Sequence, residues 1–224
     1  MIPTSDEMPR WQVPTVTWAL IAINVVVFMY EVLLGPDVDQ FLMAWGAVPA
    51  YLTDPSGHPL AFVTLFTSMF LHGGWTHLIG NLLYLWIFGD NVEDALGHRT
   101  YLLFYVAAGV LAGLAQVLAA PTATIPAIGA SGAVAGVLGT YLVLYPAAPV
   151  RVLVPGRFTM HMVRMPALIV LGMWFVIQML NGFLSLGTET MTTGGTAWFA
   201  HIGGFLVGLA VGLVLRRRGI YGIA

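Results

Sequence analysis

Long apolar runs separated by short polar breaks make up most of the chain. Six runs fall at about 15–34, 75–92, 100–120, 129–146, 166–186 and 197–215. Each approaches the roughly 20 residues that a helix rising 1.5 Å per residue needs to cross about 30 Å of hydrocarbon. A further apolar stretch, LAFVTLFTSMFL from Leu60 to Leu71, stops at His72, Gly73 and Gly74. It is too short to span and reads as a re-entrant or interfacial part of a long first loop. Lipid offers exposed backbone no hydrogen-bond partner, so all six runs are predicted to be helices. The predicted fold class is therefore all-α: a polytopic membrane protein with six transmembrane helices and a partly membrane-embedded first loop. Residues 1–14 read as a short N-terminal tail, 15–215 as one membrane domain and 216–224 as a C-terminal tail.

Composition agrees, since 58% of the 224 residues are hydrophobic and only 8% are charged, where soluble domains carry about 25%. Mean hydropathy is +0.87. The cations are all arginine: Arg10, Arg99, Arg151, Arg157, Arg164, Arg216, Arg217 and Arg218. In the six-span arrangement every one lies on the same side, which the positive-inside rule makes cytoplasmic. Both termini are thus predicted to be cytoplasmic. Asp6 and Glu7 make the first residues a poor positively charged leader, and the first span reads as a retained anchor. With no cysteine, disulfides, thiolate metal sites and a cysteine nucleophile are excluded. No basic stripe lies outside the topology-setting loops, so the expected surroundings are lipid bilayer and not nucleic acid.

Chemistry must come from the few polar side chains inside the spans, because such groups are costly in lipid and face protein or water. His77 and Asn81 lie four apart in the second span, on one helical face. Ser131 opens the fourth span and His201 lies in the first third of the sixth. All three spans start from the arginine-free side, so these residues share a layer roughly 5 to 10 Å below it. The serine sits in GASGAVAGVLG, where Gly132 and Gly136 offer small residues at four-residue spacing, as do Gly204 and Gly208 in the sixth span. Such faces let helix backbones approach closely. Close approach is what a serine and a histidine need to reach about 2.6 to 3.2 Å for proton transfer.

The residues resemble the rhomboid family of intramembrane serine proteases. The resemblance covers about 60–215 and rests on FLHGGWTHLIGNLLYLWIFGDNVEDALG (Phe70 to Gly97), GASG (Gly129 to Gly132) and AHIGGFLVG (Ala200 to Gly208), in that order on the second, fourth and sixth spans. It implies cleavage of transmembrane substrates by a serine–histidine dyad with no metal or cofactor. Ser131 would be the nucleophile and His201 the general base, later acid. His77, Asn81 and the backbone N–H of Ser131 would stabilise the oxyanion. Two positions depart from the family's frequent pattern. Val63 and Thr64 stand near the place of a Trp-Arg pair in the first loop, and Ala135 stands where an aromatic ring often packs against the histidine.

Other readings exist for the same residues. A catalytically silent scaffold would keep the fold and bind client helices; its usual sign is loss of the serine or histidine, and both are present. A transporter using His77, Asn81 and His201 as a proton or ion path lacks the duplicated halves many transporters show. A metal site is disfavoured because His72 and His77 are five apart and no carboxylate is expected at their depth. Asn24, Gln116, Gln178 and Asn181 read as interhelical structure. Met173, Trp174 and Phe175 on the fifth span read as a lateral gate or as lipid-facing bulk, and the loop at about 187–196 as a mobile cap over the site.

Overall fold

The computed structural model describes residues 1–156, 159–186 and 196–219. Helices occupy the six apolar runs: α1 (Thr15–Leu34), α5 (Trp75–Leu96), α6 (His98–Ala119), α7 (Ser131–Leu144), α8 (Ala167–Ser185) and α9 (Trp198–Arg217). Between α1 and α5 the chain forms three short helices, α2 (Val38–Trp45), α3 (Pro49–Thr53) and α4 (Ala61–Thr67). With the 3-10 turn that follows α4, the apolar helical segment Ala61–Phe70 is well short of a span. By length and apolarity together, four helical stretches among the described residues qualify to cross a membrane: Thr15–Trp45, His98–Ala119, Ala167–Ser185 and Trp198–Arg217. Helix α5 is long enough, at 22 residues, but carries Asp90, Glu93 and Asp94 near its end. Helix α7 is apolar but has only 14 residues, or about 21 Å.

The acids of α5 are explained by what they hold. Glu93 accepts the backbone N–H of Val16 at 2.9 Å and of Thr17 at 2.8 Å, capping the start of α1 from another helix. Asp94 accepts the backbone N–H groups of Trp11 and Gln12, in the segment before α1, at 2.6 and 2.9 Å.

The chain is mostly helical, and to the expected helices it adds a three-stranded antiparallel sheet in the order β1–β2–β3. Strand β1 (Ile2–Asp6) lies within the segment read as a tail, and β2 (Pro149–Pro155) and β3 (Met160–Pro166) form a hairpin between α7 and α8. In β2 the side chains alternate, with Val150 and Val152 buried and Arg151 exposed, the pattern of a half-buried strand. Glu7, just beyond β1, bridges Arg151 and Arg164 at 2.7 and 2.9 Å. The hydrogen bond from Arg151, with Arg164 beside it, holds the Glu7 carboxyl below its usual range.

Helix α7 is the centre of the molecule, packed on α5, α6, α8 and α9 and buried along nearly all its length. Its crossing with α9 is the tightest. A Cβ on Gly204 would collide with the carbonyl oxygen of Gly132, and one on Gly208 with that of Gly136. The Thr140 hydroxyl donates to the Gly208 carbonyl at 3.0 Å in the same seam. On the other side, Gly132 and Gly136 face Ala112 and Ala108 of α6, where an added Cβ would stand 2.6 and 2.7 Å from the alanine methyls. Backbones this close gain dispersion contact, which must drive association where lipid gives no hydrophobic force.

Candidate active site

Because α7 is short and central, its first residue, Ser131, stands below the surface of the bundle. The glycine seam brings α9 against it. Ser131 Oγ lies 2.7 Å from His201 Nε2, with His201 buried. The other ring nitrogen, Nδ1, lies 2.7 Å from Oε1 of Gln178 on α8. An amide oxygen only accepts, so Nδ1 carries the proton and Nε2 presents a lone pair to the serine hydroxyl. That is the arrangement in which histidine can take a proton from serine.

His77 and Asn81 reach the same place from α5. Gly129, just before the serine, has φ +119°, and a Cβ there would stand 2.6 Å from His77 Nε2 and 3.5 Å from Asn81 Nδ2. Glycine is required twice over, by its backbone and by the space the two donors occupy. The backbone N–H of Gly73 donates to His77 Nδ1 at 3.4 Å, which leaves the proton on Nε2, facing Ser131's helix. His77 is thus a donor in its neutral form. The Ser131 N–H belongs to the first turn of α7, whose amides have no intrahelical acceptor. His77 and Asn81 thus lie against Gly129, two residues before the serine. A cavity of about 30 Å³ adjoins Ser131 and Gly129, between Met69, Ala112 and Gly113.

Three residues outside the sequence-derived set belong to this neighbourhood. Asn81 Nδ2 lies 3.1 Å from Nε2 of the buried His72, and the backbone N–H of His72 donates to the carboxylate of Glu31 on α1 at 3.2 and 3.3 Å. A carboxylate is thus present near the His72 and His77 layer, contrary to the sequence expectation, and it serves to hold the loop that leads into α5. Gln178, read as interhelical structure, contacts His201 directly. A readable signal existed for it: Ala167, Leu171, Gln178 and Gly182 fall on one stripe of α8, and all four are buried.

The ring beside His201 is also not where the family pattern places it. Ala135 is buried without contributing a ring, and Trp174 of α8 lies against the imidazole instead, with centroids 5.8 Å apart. Trp174 and Phe175 both pack on Phe205, so they face the bundle, and of the three gate candidates Met173 is the exposed one. Most of the expected cap, 187–195, lies outside the described residues.

Comparison with known proteins bears on the family of the whole chain. The Rhomboid domain family model matches residues 59–218, which takes in every residue of the site except Glu31. "Rhomboid protease GluP" of Bacillus subtilis (strain 168) is 35% identical over 130 residues, 58% of this chain and 24% of that protein. "RHOMBOID-like protein 5" of Arabidopsis thaliana is 29% identical over 192 residues, 86% of this chain and 55% of that protein. "Rhomboid protease GlpG" of Klebsiella pneumoniae is 35% identical over 100 residues, 45% of this chain and 34% of that protein. The chain spans between about a quarter and just over half the length of these relatives. With more than half of its residues matched by the family model and its apolar helices long enough to cross a bilayer, the chain is an integral membrane protein of the rhomboid family.

Proposed function

We propose that the protein is an intramembrane serine endopeptidase that hydrolyses peptide bonds in transmembrane segments of other membrane proteins. The observation that carries the reading is the 2.7 Å contact between Ser131 Oγ and His201 Nε2, on two helices locked at a glycine seam. Ser131 Oγ attacks the scissile carbonyl carbon while its proton passes to His201 Nε2. The carbonyl oxygen becomes an oxyanion and receives hydrogen bonds from the Ser131 N–H, His77 Nε2–H and Asn81 Nδ2–H. In a low-dielectric site such preorganised donors are usually the largest catalytic contribution. The C–N bond then breaks as His201 returns the proton to the leaving amine, and an acyl-serine remains. Water, deprotonated by His201, releases the acid product and restores the serine.

Six crossings, with both termini and the arginine-bearing loops in the cytoplasm, would open the dyad toward the opposite face, periplasmic or extracellular in a prokaryotic plasma membrane. Water reaches the reaction from that side.

The test is labelling by a fluorophosphonate probe of the detergent-solubilised protein, with cleavage of a transmembrane substrate in vesicles alongside. Wild type should label, and Ser131→Ala and His201→Ala should not label or cleave while keeping the wild-type unfolding midpoint. A folded wild type that neither labels nor cleaves would remove the protease reading in favour of a client-binding scaffold.

A further inference from the structure

Two side chains of α8 hold His201, and they stand one turn apart. Gln178 Oε1 is 2.7 Å from Nδ1, and the Trp174 ring lies across the imidazole at 5.8 Å with planes tilted by 36°. Their four-residue spacing puts both on one face of the helix.

The dyad needs such an external hold. Neutral imidazole has two tautomers, and only the one protonated at Nδ1 can accept the serine proton at Nε2. Helix α9 carries no acid that could select between them, and its Trp198 meets the imidazole only ring to ring, with centroids 6.1 Å apart. On α7 the residue one turn beyond the serine is Ala135, which has neither a ring nor a polar group. The amide oxygen of Gln178, buried at 6% exposure, makes the selection in surroundings where a hydrogen bond is strengthened. A carboxylate would do so too, at the cost of a buried charge in the membrane.

We propose that Gln178, supported by Trp174, is the positioning residue of the Ser131–His201 dyad, a neutral counterpart of the acid in a catalytic triad. The proposal rests on the protease reading above. One consequence is that the dyad is ready only while α8 is seated. The seat is narrow: a Cβ on Gly182 would stand 3.0 Å from Ile202 Cδ1 and 3.4 Å from Trp198 Cβ. The opposite side of α8 presents exposed Leu168, Val176, Leu180 and Leu184 to the surroundings. Displacing α8 would withdraw Gln178 and Trp174 together.

Gln178→Leu and Gln178→Glu test this against wild type, with substrate cleavage as a function of pH and with ¹⁵N-histidine NMR of the full chain in micelles. Gln178→Leu should lower kcat about tenfold or more, the equivalent of one lost hydrogen bond, with KM and unfolding midpoint unchanged. Gln178→Glu should recover part of kcat at high pH. It should also move the acid limb of the kcat profile up by about one pH unit or more, since a carboxylate favours the imidazolium. The titratable neighbour of His201 on α5, His77, is the same in all three proteins. The His201 ring nitrogens, identified by their loss in His201→Gln, should show the Nδ1–H tautomer in wild type and a mixture in Gln178→Leu.

Wild-type kcat and an unmoved acid limb in both variants would overturn the proposal, as would an Nε2–H tautomer in wild type. The NMR measurement needs no turnover. An inactive wild type with the Nδ1–H tautomer therefore defeats the protease reading and leaves the Gln178 assignment standing.

Discussion

Replacing Gly204 by alanine adds one methyl group, and the structure says where it goes. The new Cβ would fall on the carbonyl oxygen of Gly132, the residue after Ser131, with the rest of that carbonyl and the Ala112 methyl close behind. Carbon and carbonyl oxygen come no closer than about 3.3 Å, and the obstacle is backbone, which cannot rotate away as a side chain would. Helices α7 and α9 must therefore part by roughly 1 Å to admit the methyl group. Overpacking of this kind costs about 1–3 kcal/mol. The functional loss is larger, because Ser131 Oγ and His201 Nε2 are 2.7 Å apart across the same seam, and roughly 1 Å more takes them past about 3.2 Å, the hydrogen-bond range. A misplacement of that size lowers a reaction rate on the order of 100-fold. The control is Gly172→Ala on α8, where an added Cβ meets nothing within 4 Å and helix propensity predicts a gain of up to about 1 kcal/mol. Unfolding in detergent and substrate cleavage in vesicles, measured on both variants, separate the two effects. A Gly204→Ala protein with wild-type midpoint and rate would refute the seam as drawn, and equal losses in Gly172→Ala would show that the contact is not the cause.

Asn81→Ala should lower kcat by the equivalent of about 1–4 kcal/mol of transition-state stabilisation, with KM little changed, since in the proposed mechanism its amide serves the oxyanion; a rise in KM alone would contradict that role. Asp6 of β1 predicts a pH effect on stability. Burial pushes its carboxyl up to about 6, against the opposing hydrogen bond donated by Tyr141 at 2.6 Å. The folded state then binds more protons than the unfolded state between about pH 4 and 6, so stability falls as pH rises through that window and stays lowered above it. Asp6→Asn keeps an acceptor for Tyr141 without the charge. It should unfold later than wild type at pH 8 and together with it near pH 4, and a pH-independent difference between the two would refute the assignment.

Helix positions were legible because lipid imposes one rule on every span, and the structure has a helix in each apolar run. The sheet was not legible, for two separable reasons. The alternation of Val150, Arg151 and Val152 is present in the sequence, but it lies in a segment whose arginines drew a topological reading. Strand β1 has no local signal at all: Ile2 pairs with Leu153 and Asp6 with Val150, contacts that no window of sequence contains. The acids of α5 mislead in the opposite direction. Glu93 and Asp94 lower the apolarity of that helix because they cap other backbone, a use visible only when α1 is laid beside it.

The site divides along the same line. Ser131, His201, His77 and Asn81 stand out because each is a polar group at an apolar depth, at a spacing that fits proton transfer and oxyanion binding. Gln178 and Glu31 are equally polar and equally deep, yet a lone amide or acid in a span is also what ordinary interhelical contact looks like. Helix phase separates the two cases. Thr17, Asn24 and Glu31 recur every seven residues on α1, and with Leu20 and Phe28 they form its buried stripe, which aims Glu31 at the loop before α5. On α8 the stripe through Leu171 and Gly182 aims Gln178 at α9. Phase says that a side chain points inward, and the glycine seam decides which helix it meets. Since the seam sets how far α9 advances on α7, it also brings His201 within reach of both Ser131 and Gln178. The small residues thus set the geometry of the proposed dyad even though none of their atoms would take part in the chemistry.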